Sequence, residues 1–320
     1  MLLAPLLLIA GCDTLSYYGQ AIGGQLEILN AARPVDAWLA DPATPAALRE
    51  RLEAARRIRR FASERLGLPD NRSYASYAEL GRAFVVWNVF AAPELSVEPK
   101  KECFPFAGCV SYRGFFSEDD ARRHAQALRS QGYDVHVGGV AAYSTLGWFD
   151  DPLLSTFIRY PDAQLARLVF HELAHQVAYA RDDTAFNESF ATTVEEEGVK
   201  RWLETEGRAA ELEAFRASQA RREKFAADVK ETRTRLGAIY RDASLSREAM
   251  LETKRAEYGK LRARYPTIPP EASNAFLGSV ALYTELVPRF EALLRESGSL
   301  EAFYARVKDL AKSGGYRRAS

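Results

Sequence analysis

Phe170-His171-Glu172-Leu173-Ala174-His175-Gln176 is the stretch on which the reading of this chain turns. Two histidines four residues apart in a helix project from one face about one turn from each other, close enough to share one ion. Glu172 stands beside them, where a carboxylate can take a proton from an attacking water. Leu165, Val169 and Leu173 recur every four residues on the opposite face, so the segment predicts a helix with a packed side and a chemical side. A helix is expected from about 162 to 180, and a second one from about 187.

A catalytic zinc site takes three protein ligands and leaves one position open. Asn187-Glu188-Ser189-Phe190-Ala191-Thr192 offers the third, with Glu188 opening the second helix just after an Asp182-Asp183 turn. The metzincin pattern would need glycine at 178 and histidine at 181; the chain has Ala178 and Arg181, so the carboxylate-ligand class fits better. The expected site is therefore one Zn2+ held by His171, His175 and Glu188, with Glu172 as the catalytic base. The bland alternative makes the histidines ordinary core or surface residues and Glu188 a charge favoured by the helix dipole. A tetrahedral oxyanion wants a further donor, for which Tyr143, Tyr179 and Tyr283 are candidates; each is also a plausible core tyrosine. Asn187 either orients a ligand or simply caps its helix. His136 reads as a satisfied strand histidine, and His124 as solvated beside Arg122 and Arg123.

Outward from this string, residues 14–68 look helical, with Leu48, Leu52, Ala55, Ile58 and Ala62 at spacings of three and four and Pro69 closing the run. Ala83 to Phe90 is β-branched and aromatic, as a buried strand should be. Ser117 opens a short helix with Asp120 at the capping-box spacing. Asp134-Val135-His136-Val137 alternates as a strand that Gly138-Gly139 would end or bend. Ala142 to Gly147 reads equally as a sheet edge or a loop. The charged stretch 204–265 predicts two long antiparallel helices. Phe225, Val229, Leu236 and Tyr240 form one seam, and Leu251, Tyr258, Leu261 and Tyr265 the other, spoiled at Lys254. A final pair of helices is expected around 273–294 and 300–312. The fold class is α+β and mostly helical: a small mixed β-sheet, then zincin-type active-site helices and a long helical hairpin. The expected division is 1–12 signal and lipobox, 13–72 helical, 73–203 α/β core, 204–268 hairpin and 269–320 C-terminal helices.

The chain has 320 residues with 43 Lys plus Arg and 43 Asp plus Glu, so no net field draws it to nucleic acid, and no nucleic-acid partner is expected. The basic run Arg56-Arg57-Ile58-Arg59-Arg60 reads as a solvated helix face. Met1 to Ala10 is almost wholly apolar and too short for a stable membrane span, as in a signal peptide. It leads to Ile9-Ala10-Gly11-Cys12, which resembles the lipobox of bacterial lipoproteins, with Cys12 as the lipid acceptor; the absence of a preceding Lys or Arg departs from that pattern. Asp13 resembles an inner-membrane retention signal. The expected location is the bacterial envelope, lipid-anchored and facing the periplasm, with the inner membrane slightly favoured. Cys103 and Cys109 read as a disulfide closing a short loop, ahead of a two-cysteine zinc site that lacks further ligands nearby.

These strings resemble the bacterial family of predicted lipoprotein aminopeptidases, which are gluzincin-like. The resemblance runs over nearly the whole mature chain: Val86-Trp87-Asn88-Val89, Cys103 to Gly114, Gly138 to Gly147, Phe149 to Pro152, the two metal strings, and Asn274-Ala275 with Tyr283 and Val287-Pro288. It departs at Glu102, where the family often has an aromatic residue. The resemblance implies His171, His175 and Glu188 as zinc ligands, Glu172 as catalytic residue and a peptide or protein as substrate. A well-studied zinc aminopeptidase superfamily reads the substrate amine with Gly-x-Met-Glu-Asn; here the only methionines are Met1 and Met250, and the string is absent. An endopeptidase thus stays open. So does a scaffold lipoprotein whose helical hairpin docks an envelope protein.

Overall fold

The computed structural model describes the backbone of residues 6–104 and 108–314, with side chains from Tyr17 onward, Phe104 excepted. Residues 1–5 and the side chains of the rest of the Met1–Ala10 run and of Cys12 lie outside the described residues. The chain opens with α1 (Leu6–Ala31), β1 (Ala32–Pro34), α2 (Val35–Ala40) and α3 (Ala46–Leu66). It continues through β2 (Ser76–Ala78), β3 (Val86–Pro93), β4 (Glu102–Phe104), β5 (Gly108–Val110), β6 (Arg113–Phe115), α4 (Glu118–Ser130), β7 (Tyr133–Val140) and β8 (Leu153–Leu154). Helices complete it: α5 (Asp162–His175), α6 (Thr184–Thr205), α7 (Ala209–Arg241), α8 (Arg247–Arg264), α9 (Asn274–Thr284), α10 (Val287–Ser297) and α11 (Leu300–Lys312). The architecture is α+β and mostly helical. No helix among the described residues is long and apolar enough to cross a membrane.

The expected helical run of 14–68 is broken. Pro34 has no N–H for a helix, and β1 instead pairs antiparallel with β2, which runs parallel to β8. The basic run is not wholly solvated either. Arg59 is buried and staples the next loop, donating from Nε to the Ser73 carbonyl (2.9 Å) and from Nη2 to those of Pro69 (2.7 Å) and Asn71 (2.9 Å). The larger sheet has the order β6-β3-β7, all antiparallel. Its central strand sits three residues later than the apolar run suggests, leaving Phe84 to cover Gly139. A Cβ on Gly139 would come within 2.3 Å of the Phe84 ring, so the strand needs glycine there and runs on through Gly138-Gly139 to Val140 instead of ending. Helix α4 is capped by Ser117, whose side chain accepts from the Asp120 N–H. His124 on its flank is half-buried against the Phe115 ring, 5.3 Å away, not simply solvated.

Helices α7 and α8 form the expected hairpin, with Val229, Leu236, Tyr258 and Leu261 in its buried seam. Lys254 has a use at its odd seam position. Its ammonium donates to Asp134 Oδ2 (2.6 Å) and the Glu94 carbonyl (2.8 Å), tying the hairpin to β7. The C-terminal pair is in fact three helices, because the chain breaks at Glu285-Leu286, where the Leu286 N–H donates to Ser189 Oγ (3.2 Å) on α6. One core joins Ile28 of α1, Leu52 of α3, Val169 of α5, Phe190 of α6 and Phe303 of α11.

Helices α5 and α6 approach closely in this core at Gly198. A Cβ at Gly198 of α6 would lie 2.7 Å from the Phe170 ring and 2.9 Å from Leu66. Gly198→Ala should therefore destabilise the protein by about 1–3 kcal/mol through overpacking, despite alanine's better helix propensity. Denaturant unfolding measures this; an unchanged midpoint would mean the crossing has slack.

Candidate metal centre

Helix α5 ends at His175, five residues earlier than the periodicity suggests, so both histidines lie in its last two turns. Gln176 marks the exit. Its side chain accepts from Asn71 Nδ2 (2.7 Å) and donates to Ser73 Oγ (3.2 Å), pinning the helix end to the loop that Arg59 holds. The chain then turns through residues 176–183 and returns as α6. Asp183 caps that helix by accepting from the Phe186 N–H (3.1 Å). Asn187 takes both backbone groups of Ala180: its Oδ1 accepts from the N–H (2.7 Å) and its Nδ2 donates to the carbonyl (2.9 Å). It therefore neither caps α6 nor touches a ligand, but holds the turn closed one residue before Glu188.

The Asp182-Asp183 turn is also held from outside. Cys103 and Cys109 are directly paired in the β4–β5 hairpin and joined by a disulfide. The Cys109 N–H donates to Asp182 Oδ1 (2.6 Å), and Gly108 leaves no room there for a side chain, since its Cβ would meet that same oxygen at 2.3 Å.

The fold-back brings three of the expected residues together. One ligand atom each from His171, His175 and Glu188 lies within 4.8 Å of the others, a group that could hold a metal ion. Glu188 Oε2 is 3.3 Å from His171 Nε2 and 3.7 Å from His175 Nε2. Two imidazole nitrogens and one carboxylate oxygen are a donor set that suits zinc. His171 directs Nε2 inward because its Nδ1 is taken by Glu195 Oε2 at 2.9 Å, and Glu195 Oε1 in turn accepts from Arg167 Nε at 2.5 Å. A carboxylate behind a metal-ligating histidine fixes its tautomer and orientation. Glu195 thus fills the place that Asn187 does not. Its signal was present in the sequence, seven residues after Glu188 and so on the same face of α6.

The electrostatics follow from burial. Burial opposes the Glu188 and Glu195 charges, yet His175 and His171 beside Glu188, and Arg167 and His171 beside Glu195, hold both pKa values below the usual glutamate range. Burial would also discharge His171, but hydrogen bonds to Glu188 and Glu195 raise its pKa well above the ordinary value. His175 has no such bond, and burial pushes it down to about 4. Glu172 makes no hydrogen bond among the described residues. Burial, with Glu188 and Asp151 adding their charge, lifts it to about 8.

The trio opens on a cleft of about 1750 Å³, walled by α5, α6, α7 and α9 and by the stretch from Gly139 to Leu146. Tyr143, Tyr179 and Tyr283 all line it, as does Tyr112, which the sequence reading did not single out. None of the four hydroxyls has a hydrogen bond among the described residues. Burial first, then the charge of Glu188, raises the pKa of Tyr112 and Tyr283, so both stay protonated donors. Ala142 to Gly147 proves to be irregular chain, not strand, held by Asp151 accepting from the Thr145 N–H and hydroxyl (both 2.9 Å). His136 stays outside the cleft, between the rings of Phe90 and Phe276.

The α+β fold thus sets a possible metal trio in the wall of a large cleft. The chain belongs to the family described as "Putative aminopeptidase", whose model matches residues 16–320. That family name points to a peptidase, a hydrolase. No curated protein and no solved structure matches the chain.

Two outcomes are expected. Glu195→Gln should weaken metal binding about 10- to 100-fold while leaving the fold intact; unaltered affinity in a competition titration with a chelator would remove Glu195 from the site. Burial raises Asp151 to about 6, above the unfolded value of about 3.9, so the folded state holds this proton more tightly. Stability from this group is complete below pH 4 and is lost as pH rises to 6. Asp151→Asn should therefore gain roughly 2–3 kcal/mol on wild type over that interval in urea unfolding. A gap that does not vary with pH would refute the assignment.

Proposed function

We propose that this chain is a zinc-dependent peptidase, anchored by lipid at Cys12 in the bacterial envelope, with His171, His175 and Glu188 holding one ion. The observation that carries this reading is Glu172: a carboxylate with no hydrogen bond among the described residues, beside the trio and on the cleft. A purely structural metal site has no use for it. His171, His175 and Glu188 would hold the ion, which would supply a Lewis acid for the scissile carbonyl and lower the pKa of a water.

The chain's own residues do the rest. Glu172 takes the proton of the attacking water and passes it to the leaving amine. Glu195 and Arg167 keep the His171 ring turned so that Nε2 faces the trio. Tyr143 and Tyr283 are the hydroxyls offered to the developing oxyanion, with Tyr112 on the same wall. The family name favours removal of N-terminal residues. The envelope location rests on the lipobox string and on the disulfide, which suits an oxidising compartment.

Glu172→Gln should keep stoichiometric zinc, measured by elemental analysis, and lose about 10²- to 10⁴-fold in peptide hydrolysis. Undiminished hydrolysis in that variant, or a folded wild type that takes up no zinc, would sink the proposal.

A further inference from the structure

The cleft does not stop at the metal trio. On α5 its wall runs from His171 back through Arg167 to Gln164, about 10 Å along the axis at 1.5 Å per residue. On α7 it runs from Glu211 to Arg241, about 45 Å of helix. The level of the trio on α7 is bracketed by two contacts. Arg222 bonds Glu196 (3.3 Å), eight residues beyond Glu188 on α6, and Arg233 reaches Glu285 (3.9 Å), two residues after Tyr283. The α7 wall continues for about 16 Å before Arg222 and about 12 Å after Arg233. Room therefore remains on both sides of the scissile position. At about 3.3 Å per residue, 45 Å accommodates roughly 13 residues of extended chain.

An exopeptidase that reads a free N-terminus needs the opposite layout: a wall within a residue or so of the reacting carbonyl, and a free carboxylate there for the ammonium group. The carboxylates of α5 and α6 that line the cleft are already engaged. Glu188 faces the two histidines, Glu195 holds His171 and Arg167, and Glu196 accepts from Arg222 and from Gln219 Nε2 (3.0 Å). On these two helices that leaves only Glu172, which the reaction itself needs; the other lining carboxylates, Glu211, Glu223, Glu285 and Glu291, stand on other walls of the cleft and not on the helices that carry the trio.

We infer that the substrate is an interior stretch of an extended polypeptide, bound across the trio by both arms of the cleft, and that its free N-terminus is not read. This rests on the peptidase reading above. The bond broken is an internal amide; water's hydroxyl goes to the acyl carbon and its proton, through Glu172, to the new amine, so the products are two shorter peptides.

The test uses the zinc-loaded full chain and Glu172→Gln on a peptide mixture of four, eight and twelve residues. Each peptide is offered with a free or an acetylated N-terminus, and products are sequenced by mass spectrometry. Internal cuts are expected, with kcat/KM rising about tenfold or more from four to twelve residues as remote contacts are recruited. Acetylation should change the rate less than about twofold. Stepwise loss of single N-terminal residues, abolished by acetylation, would overturn the inference and leave the peptidase reading standing. No Glu172-dependent cleavage of any peptide would overturn both.

Discussion

Everything at the candidate centre depends on one constraint: α6 must return against α5 so that Glu188 meets two histidines of the preceding helix. The carboxylate cannot reach them from its own helix by local geometry, since eight residues that do not continue α5 separate the two elements. The turn is therefore held at several points. Asn187 closes it from within through Ala180, Asp183 caps the returning helix, and the disulfide hairpin grips Asp182 from outside. Gly198 removes the side chain that would push the two helices apart at Phe170. Slack at any of these points would be felt at the ligand oxygen, because core packing transmits displacement instead of absorbing it.

The same crossing accounts for the charges. Glu188, Glu195, Glu172 and two imidazoles are almost fully withdrawn from water, which is costly for charged groups unless they are paired. Arg167 lies one turn before His171 on α5 and so meets Glu195 on α6, which makes the row Arg167, Glu195, His171, Glu188 alternate in donor and acceptor. Glu172 is the exception, with no hydrogen-bond partner among the described residues. An unpaired buried carboxylate costs stability, and such strained spending is concentrated where chemistry is done.

The hairpin of α7 and α8 gives this centre its outer wall. It is bound to the rest through Lys254 at Glu94 and Asp134, through Tyr240 and Tyr258 at Asn274 Oδ1, and through Arg222 at Glu196. Lys254, a defect when α8 is read as half of a two-helix seam, serves instead to pair with the sheet. The long charged helix is thus part of the cleft and not a free arm.

Much of this was legible along the chain, and the divide falls by distance. Sequence alone established the amphipathic helix carrying His171, Glu172 and His175, the turn before Glu188, the Ser117 cap and the seams of the hairpin. These depend on contacts within a few residues, where backbone geometry sets which side chains share a face. Three-residue strands such as β1 and β2 carry too little periodicity to be seen, and the continuation of β7 through Gly138-Gly139 goes with the Phe84 ring arriving from the segment before β3. Only the tertiary structure decided that Glu195 stands behind His171, that Asn187 serves the turn and not a ligand, and that Tyr112 and α7 face the trio. The reason is physical: residue type and spacing set what each helix face offers, but which faces meet is settled by packing of the whole core, and no local pattern contains that.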